Sequence, residues 1–298
     1  MMDQWAALLR LMAERPTLLI ASCAILGALI GSFINVVSMR LPRIMERDWK
    51  REARAILDLP APADEADSDL GLAAPRSRCN HCGAQVQAWQ NIPVVSWLLL
   101  RGRCAQCSAP ISIQYPLVEM ISAITAGVCA SQLGVNTALV SALLITWFLL
   151  PMIIIDLRTQ LLPDSLTLPL LWAGLIFNLL GWGFVDLESA VLGAVFGYGS
   201  FWLIFQIFRL LTGKEGMGFG DFKLLAALGA WLGWQALPLI ILLSSVVGAL
   251  IGGALMVSGR LNRETPMPFG PYLAVAGWIA MLWGPQITAA YLGSFSGS

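Results

Sequence analysis

The chain has 298 residues, 57% of them hydrophobic and only 12% charged, with a formal net charge of zero. This composition marks an integral membrane protein, and without a large basic surface nothing points to a nucleic-acid partner. His81 is the single histidine, so Ser-His-Asp or Cys-His machinery would have to use it, and an H-E-x-x-H metal site is excluded.

Residues 1–17 are amphipathic, with Trp5, Leu8, Leu9, Leu11 and Met12. No small-residue cleavage site follows the next apolar run, so the first span is expected to stay in the mature protein. Apolar runs able to cross a bilayer, about 20 residues each, are expected near 17–39, 115–132, 136–156, 165–182, 188–211, 222–234, 236–258 and 270–292. The fold class is therefore an all-α polytopic membrane protein of about eight transmembrane helices. Its parts are an N-terminal segment with the first span (1–40), an insert (41–114) and a seven-helix domain (115–298). Arg40, Arg43, Arg47, Lys50, Arg51 and Arg54 follow the first span directly, which places that side in the cytoplasm. Eight spans then put Arg158, Arg209, Lys214, Lys223, Arg260 and Arg263 on the same side, with both termini opposite. Arg10 and Arg15, before the first span, are outvoted by the cluster after it.

The insert begins basic and passes through an acidic, proline-bearing stretch from Pro60 to Asp69 that reads as a flexible linker. It then reaches Cys79-x-x-Cys82 and Cys104-x-x-Cys107, two pairs separated by 21 residues. Two such knuckles can present four thiolates tetrahedrally to Zn²⁺, giving a zinc-ribbon-like insert. The alternative is a pair of redox-active or unliganded CxxC sequences; a cytoplasmic position disfavours disulfides and favours the metal. Four cysteines leave no open position for water, so the zinc is structural. Cys23 and Cys129 lie in apolar spans and read as small core residues.

Few carboxylates fall in or against the membrane: Glu119, Asp156, Asp164 and Asp221. Asp221 ends the stretch Gly213-Lys-Glu-Gly-Met-Gly-Phe-Gly-Asp221, in which four glycines interrupt regular helix just before an apolar run. Two readings stand there, a helix N-cap and an active-site carboxylate. Span three runs inward and span six outward, so Asp156 and Asp221 are expected at similar depth near the cytoplasmic face. Two carboxylates converging there can share one proton, one activating water while the other polarises a peptide carbonyl. Asp164 is the rival partner, although Leu161-Leu-Pro-Asp164 before Ser165 reads well as an N-cap. Glu119, about one turn inside span two, reads as a paired structural carboxylate near the interface.

Together these motifs resemble the type IV prepilin peptidase family, whose members are leader peptidases and N-methyltransferases. The resemblance rests on Gly31-Ser-Phe-Ile-Asn-Val-Val with Arg40-Leu-Pro42, and on the CxxC pairs with Asn91-Ile-Pro93, Ser96-Trp-Leu98 and Arg101-Gly102 between them. It rests also on Ile155-Asp156, Leu162-Pro-Asp164 and Gly218-Phe-Gly-Asp221, the last being a GxGD signature. It implies catalysis by Asp156 and Asp221, with Gly218, Gly220, Asp164 and Glu119 in support and zinc on the four cysteines. The substrates implied are type IV prepilins or type II secretion pseudopilins, cut after a glycine at the cytoplasmic face of the bacterial inner membrane. S-adenosylmethionine would then methylate the new N-terminal residue, usually phenylalanine; no Rossmann-like unit marks its site, and its residues are not assigned. The rivals are a proton-coupled transporter using the same carboxylates, against which no inverted repeat is found, and a non-enzymatic scaffold docking through its zinc module.

Overall fold

The computed structural model describes residues 2–60, 70–214, 217–259 and 267–296. The acidic linker at 61–69, Glu215 and Gly216 of the glycine-rich stretch, and Arg260 and Arg263 lie outside the described residues. Among the described residues the chain is helical with no β-strand, apart from two isolated bridges, Arg78 with Gln85 and Arg103 with Pro110. The chain divides into two compact units, Met1–Ser131 and Gln132–Ser298.

The first unit holds α1 (Met2–Glu14), α2 (Pro16–Ile56), α3 (Val95–Leu99) and most of α4 (Gln114–Leu133). The first span does not end near residue 39: α2 continues through Pro42 for 41 residues, or about 60 Å at ~1.5 Å per residue. The residues beyond the apolar part are mostly strong helix formers, and Lys50 Nζ lies 2.6 Å from Glu46 Oε1 one turn earlier. The basic cluster therefore rides on a helix that projects past the apolar segment. It also fastens the following chain: Arg40 donates to the carbonyls of Gly71 and Pro75 at 2.9 Å each, and Arg47 to that of Leu70 at 3.0 Å.

Cys23, Gly27, Gly31 and Asn35 recur every fourth residue, so they share one face of α2, and all are buried. A Cβ on Gly27 would lie 2.5 Å from the Ser122 carbonyl oxygen, and one on Gly31 2.8 Å from Glu119 Cα. The backbones of α2 and α4 thus approach as membrane helices do when small residues line the seam. Ser122 Oγ donates to the Gly27 carbonyl at 2.6 Å, and Asn35 Nδ2 to that of Tyr115 at 3.1 Å. Cys23 and Cys129 are both buried, as core residues should be.

The second unit comprises α5 (Thr137–Thr159), α6 (Asp164–Leu179), α7 (Leu187–Thr212), α8 (Phe219–Leu232), α9 (Leu237–Val257) and α10 (Gly270–Ser296). Every expected span thus corresponds to a helix, and among the described residues six helices are long and apolar enough to cross a membrane. The exceptions are α6 with 16 residues and α8 with 14, about 24 and 21 Å long against a hydrocarbon core of about 30 Å. For α8 the shortfall has a physical reason. All residues from Asp221 to Leu232 except Lys223 are buried, and α6, α7 and α10 pack around it. A helix enclosed by protein need not match the lipid thickness.

The closest seam is between α7 and α8. A Cβ added at Gly193 would overlap the Gly229 carbonyl oxygen, and one at Gly229 that of Gly193. At the far end of α8, Asn178 Nδ2 donates to the Ala230 carbonyl at 2.8 Å, and Trp231 Nε1 to that of Leu170 at 2.8 Å. The first of these satisfies a carbonyl that the end of α8 leaves unpaired; the second fixes α8 against the middle of α6. At the near end Phe222 is surrounded by Phe219, Phe205, Tyr198 and Phe201, with ring centroids 5.2, 5.7, 5.8 and 6.3 Å away. Gly229→Val should therefore force the two backbones apart and cost at least about 3 kcal/mol. Gly199→Ala, whose added Cβ meets nothing, should be neutral to stabilising. Denaturant unfolding in detergent compares the two.

Candidate active site and cysteine cluster

Asp156 lies in the last turn of α5. Its backbone carbonyl accepts the N–H of Gln160 at 2.9 Å, and Gln160 ends the helix in the left-handed conformation at φ 55°. The chain then turns through Leu161, Leu162 and Pro163 into α6. Asp156 is 5% exposed, and its Oδ2 has no hydrogen-bond partner. Gly270, the first residue of α10, packs against the carboxylate. No side chain fits at that position: a Cβ on Gly270 would lie 2.6 Å from Asp156 Oδ2 and 3.1 Å from Leu162 Cδ1.

Asp221 stands in the first turn of α8 and is 8% exposed. A Cβ on the preceding Gly220 would lie 2.7 Å from Leu162 Cβ, so Leu162 packs against glycines next to both carboxylates. Leu162 thereby joins the surroundings of Asp156 and Asp221. The structure thus brings together the two aspartates that topology pairs. Gly218 is different from Gly220: it is the N-cap of α8, with extended backbone at φ −81° and ψ 145°, and a Cβ there would meet no atom within 4 Å.

Two capping expectations are corrected. Asp221 is the third residue of α8, not its cap, because Gly218 holds the cap position and the aspartate is turned into the protein. Asp164 is the first residue of α6 rather than its N-cap, which is Pro163. Its two carboxylate oxygens instead accept from Lys223 Nζ at 2.6 and 2.7 Å, joining the starts of α6 and α8. With Asp164 half exposed, the pair should contribute no more than about 1 kcal/mol. Asp164→Asn is expected to lower the unfolding midpoint only slightly, as thermal denaturation would show.

Glu119, in the first unit, is 7% exposed, and its Oε2 accepts the Val94 backbone N–H at 2.7 Å, a paired carboxylate as expected. Leu162, quoted above only within a motif, Lys223, used above only for topology, and Gly270, which the sequence reading does not mention, also belong to the surroundings of the aspartates. For Gly270 a signal existed: Pro268-Phe-Gly-Pro271 breaks the chain before an apolar run, as the glycines do before Asp221.

None of the six cysteines is in a disulfide. The Sγ atoms of Cys79, Cys82, Cys104 and Cys107 lie within 4.8 Å of one another, a group that can hold a metal ion, and Cys79 and Cys107 Sγ are 3.7 Å apart. The two knuckles repeat one pattern. Cys79 N donates to the Ala84 carbonyl and Gly83 N to that of Cys79; Cys104 N donates to the Ala109 carbonyl and Ser108 N to that of Cys104. Gly83 and Ser108 both adopt positive φ, 71° and 56°. Backbone N–H groups of Cys82 and His81 hold the Cys79 thiol down to about 6, and those of Cys107 and Gln106 lower Cys104. Against the Ala109 N–H, which lowers it, burial and the neighbouring thiols push Cys107 up to about 12. Four thiols this close cannot all ionise alone, and a divalent cation would remove that conflict.

The chain is similar to known proteins along nearly its whole length. The family model described as Bacterial Peptidase A24 N-terminal domain matches residues 25–133, and that of the Type IV leader peptidase family matches residues 143–253. A prepilin leader peptidase/N-methyltransferase of Stutzerimonas stutzeri is 54% identical over 281 residues, covering 94% of this chain and 96% of that protein. Proteins of the same name from Aeromonas hydrophila and Pseudomonas aeruginosa are 52% and 53% identical, covering 97% and 96% of this chain and 99% and 97% of theirs. No solved structure matches the chain. Nothing in these similarities supports a transporter. With two family models matching in succession and relatives above half identity over nearly the whole length, the chain belongs to the type IV leader peptidase family.

Proposed function

We propose that Asp156 and Asp221 are the water-activating pair of a membrane aspartic endopeptidase acting on prepilins. The activity itself follows the relatives: this chain removes the leader of a type IV prepilin and N-methylates the product. The observation that carries the residue assignment is the pair itself, two buried carboxylates on different helices, each beside a glycine against which Leu162 packs. One ionised carboxylate takes a proton from water as its oxygen adds to the scissile carbonyl carbon, while the protonated partner donates to the carbonyl oxygen. Collapse of the adduct breaks the C–N bond and passes a proton to the departing amine.

The finer features belong to the same proposal. Cleavage falls after a glycine at the cytoplasmic face of the inner membrane, both termini are periplasmic, and pseudopilins are substrates beside prepilins. Gly218, with open space where a side chain would be, leaves room for an extended substrate backbone beside Asp221. In organisation, a first span and a cysteine-bearing insert precede a seven-helix domain that holds both aspartates. The metal is zinc, held by Cys79, Cys82, Cys104 and Cys107. A tetrahedral site with Zn–S of about 2.3 Å requires Sγ separations of about 3.8 Å, and the Cys79–Cys107 distance of 3.7 Å fits. Zinc bound there crosslinks the two knuckles.

S-adenosylmethionine is the methyl donor. The groove lined by Phe196, Trp234, Leu237 and Ser245, and that lined by Gly248, Met267 and Tyr272, carry no charged side chain. They do not fit the amino-acid end of the donor, and no step is assigned to them. The deciding experiment incubates purified protein with a prepilin peptide and S-adenosylmethionine and weighs the products by mass spectrometry. Loss of the leader and gain of one methyl group are the expected outcomes; an unchanged peptide would refute the proposal.

A further inference from the structure

We infer that the short helix α3 is a membrane-surface anchor, with its outer face seated in the headgroup–acyl boundary beside the start of α4. The apolar side chains on α3 are anomalous for an insert between spans. Ile92, Val95, Leu98 and Leu99 are all exposed, the last two at 61% and 70%, as is Ile113 at 69%, just before α4. An exposed apolar patch of this kind requires a partner.

The other side of α3 is already occupied. Ser96 is buried, and Trp97 Nε1 donates to the Ile111 carbonyl at 3.2 Å. The Trp97 ring covers Gly102, where an added Cβ would come within 2.8 Å of it. Gly102 accepts the Ile111 N–H at 2.7 Å, immediately before the second knuckle. The helix therefore has an inner face fixed to the cysteine module and an outer face of large aliphatic side chains.

The bilayer is the favoured occupant because of depth. Val94, just before α3, donates its N–H to Glu119, five residues into α4, or about 7.5 Å along that helix. The bond holds α3 at the level where α4 enters the hydrocarbon. The exposed Leu117, Met120, Ile121 and Ile124 of α4 continue the apolar surface into the span. Val94 adopts φ 59°, an unusual conformation for a β-branched residue, so the chain accepts local strain to make this contact. Arg101 and Arg103 follow α3 and are exposed, where they suit anionic headgroups. The cysteine module is then tied to the membrane boundary through α3, independently of which reaction the protein performs.

The test uses the full chain in liposomes of phosphatidylethanolamine and phosphatidylglycerol, with p-benzoylphenylalanine placed singly at Leu99, Ile124 and Gln106. Lipid adducts at Leu99 are expected to approach the yield at Ile124 and to exceed that at Gln106 at least about tenfold. Adducts at Leu99 to the chain itself, to a second copy or to an added prepilin, or no adduct, would overturn the anchor. A paired Leu98→Gln, Leu99→Gln change, read by a probe at Val95, should reduce the lipid adduct there at least about fivefold. An unchanged Val95 yield would refute the proposal as well. Prepilin cleavage measured on the same preparations reports separately on the peptidase assignment.

Discussion

Asp221→Asn and Asp156→Asn, each in the purified full-length protein, are expected to abolish removal of the prepilin leader. Asparagine keeps the size of the side chain and loses the ability to take a proton from water. General acid–base groups contribute roughly 10²- to 10⁴-fold, and the pair acts as one unit. Each single change should therefore reduce cleavage at least about a thousandfold, and the double change should be little worse than either alone. Stability should move the other way. Both aspartates are buried, so a neutral amide avoids burying a charge. The unfolding midpoint should hold or rise, which separates an inactive enzyme from an unfolded one. Cleavage at near wild-type rate in either variant, read by prepilin mobility on gels, would remove that residue from the dyad. The contrast with Asp164→Asn is informative because Asp164 is also an aspartate at the start of a helix near this site. Its partner is the half-buried Lys223, not a second carboxylate.

Removing the metal is the second large perturbation. Binding at a four-cysteine site contributes apparent free energies of about 10–16 kcal/mol in small zinc modules, far more than the few hydrogen bonds of each knuckle supply. Chelation, or Cys79→Ser with Cys104→Ser, is expected to bring bound zinc from about one per chain to background and to open residues 76–111 to protease. The helices of the second unit, which have their own core around α8, should keep their circular dichroism. Acid should act in the same direction, because each thiol must lose its proton to bind and metal is released as pH falls. Metal analysis with limited proteolysis decides the matter: zinc lost with the insert still resistant would mean that the knuckles fold without it.

Most of the membrane architecture was legible in the sequence, since a bilayer converts composition into structure directly. An apolar run of sufficient length becomes a helix because backbone groups in lipid have no other partners. The cysteine spacing was equally direct, since two CxxC knuckles are local turns and needed only to meet. Where the sequence misled, a boundary was at stake. The continuation of α2 to Ile56 depends on helix propensity after the apolar run ends, and the caps of α6 and α8 fell to Pro163 and Gly218, not to the aspartates that follow them.

What the sequence determined alone was the helical class and the order of the apolar segments, the cysteine module and the set of carboxylates from which a dyad could be drawn. Tertiary structure decided which carboxylates meet and what encloses them. It gave Asp164 to Lys223 and Glu119 to Val94 and left Asp156 and Asp221 buried on either side of Leu162. It also let α8 be shorter than a bilayer by surrounding it with α6, α7 and α10. The physical reason is range. Hydropathy and knuckle turns act between near neighbours in the chain, whereas a Gly193–Gly229 seam or a leucine packed between Gly220 and Gly270 exists only once distant segments are brought together.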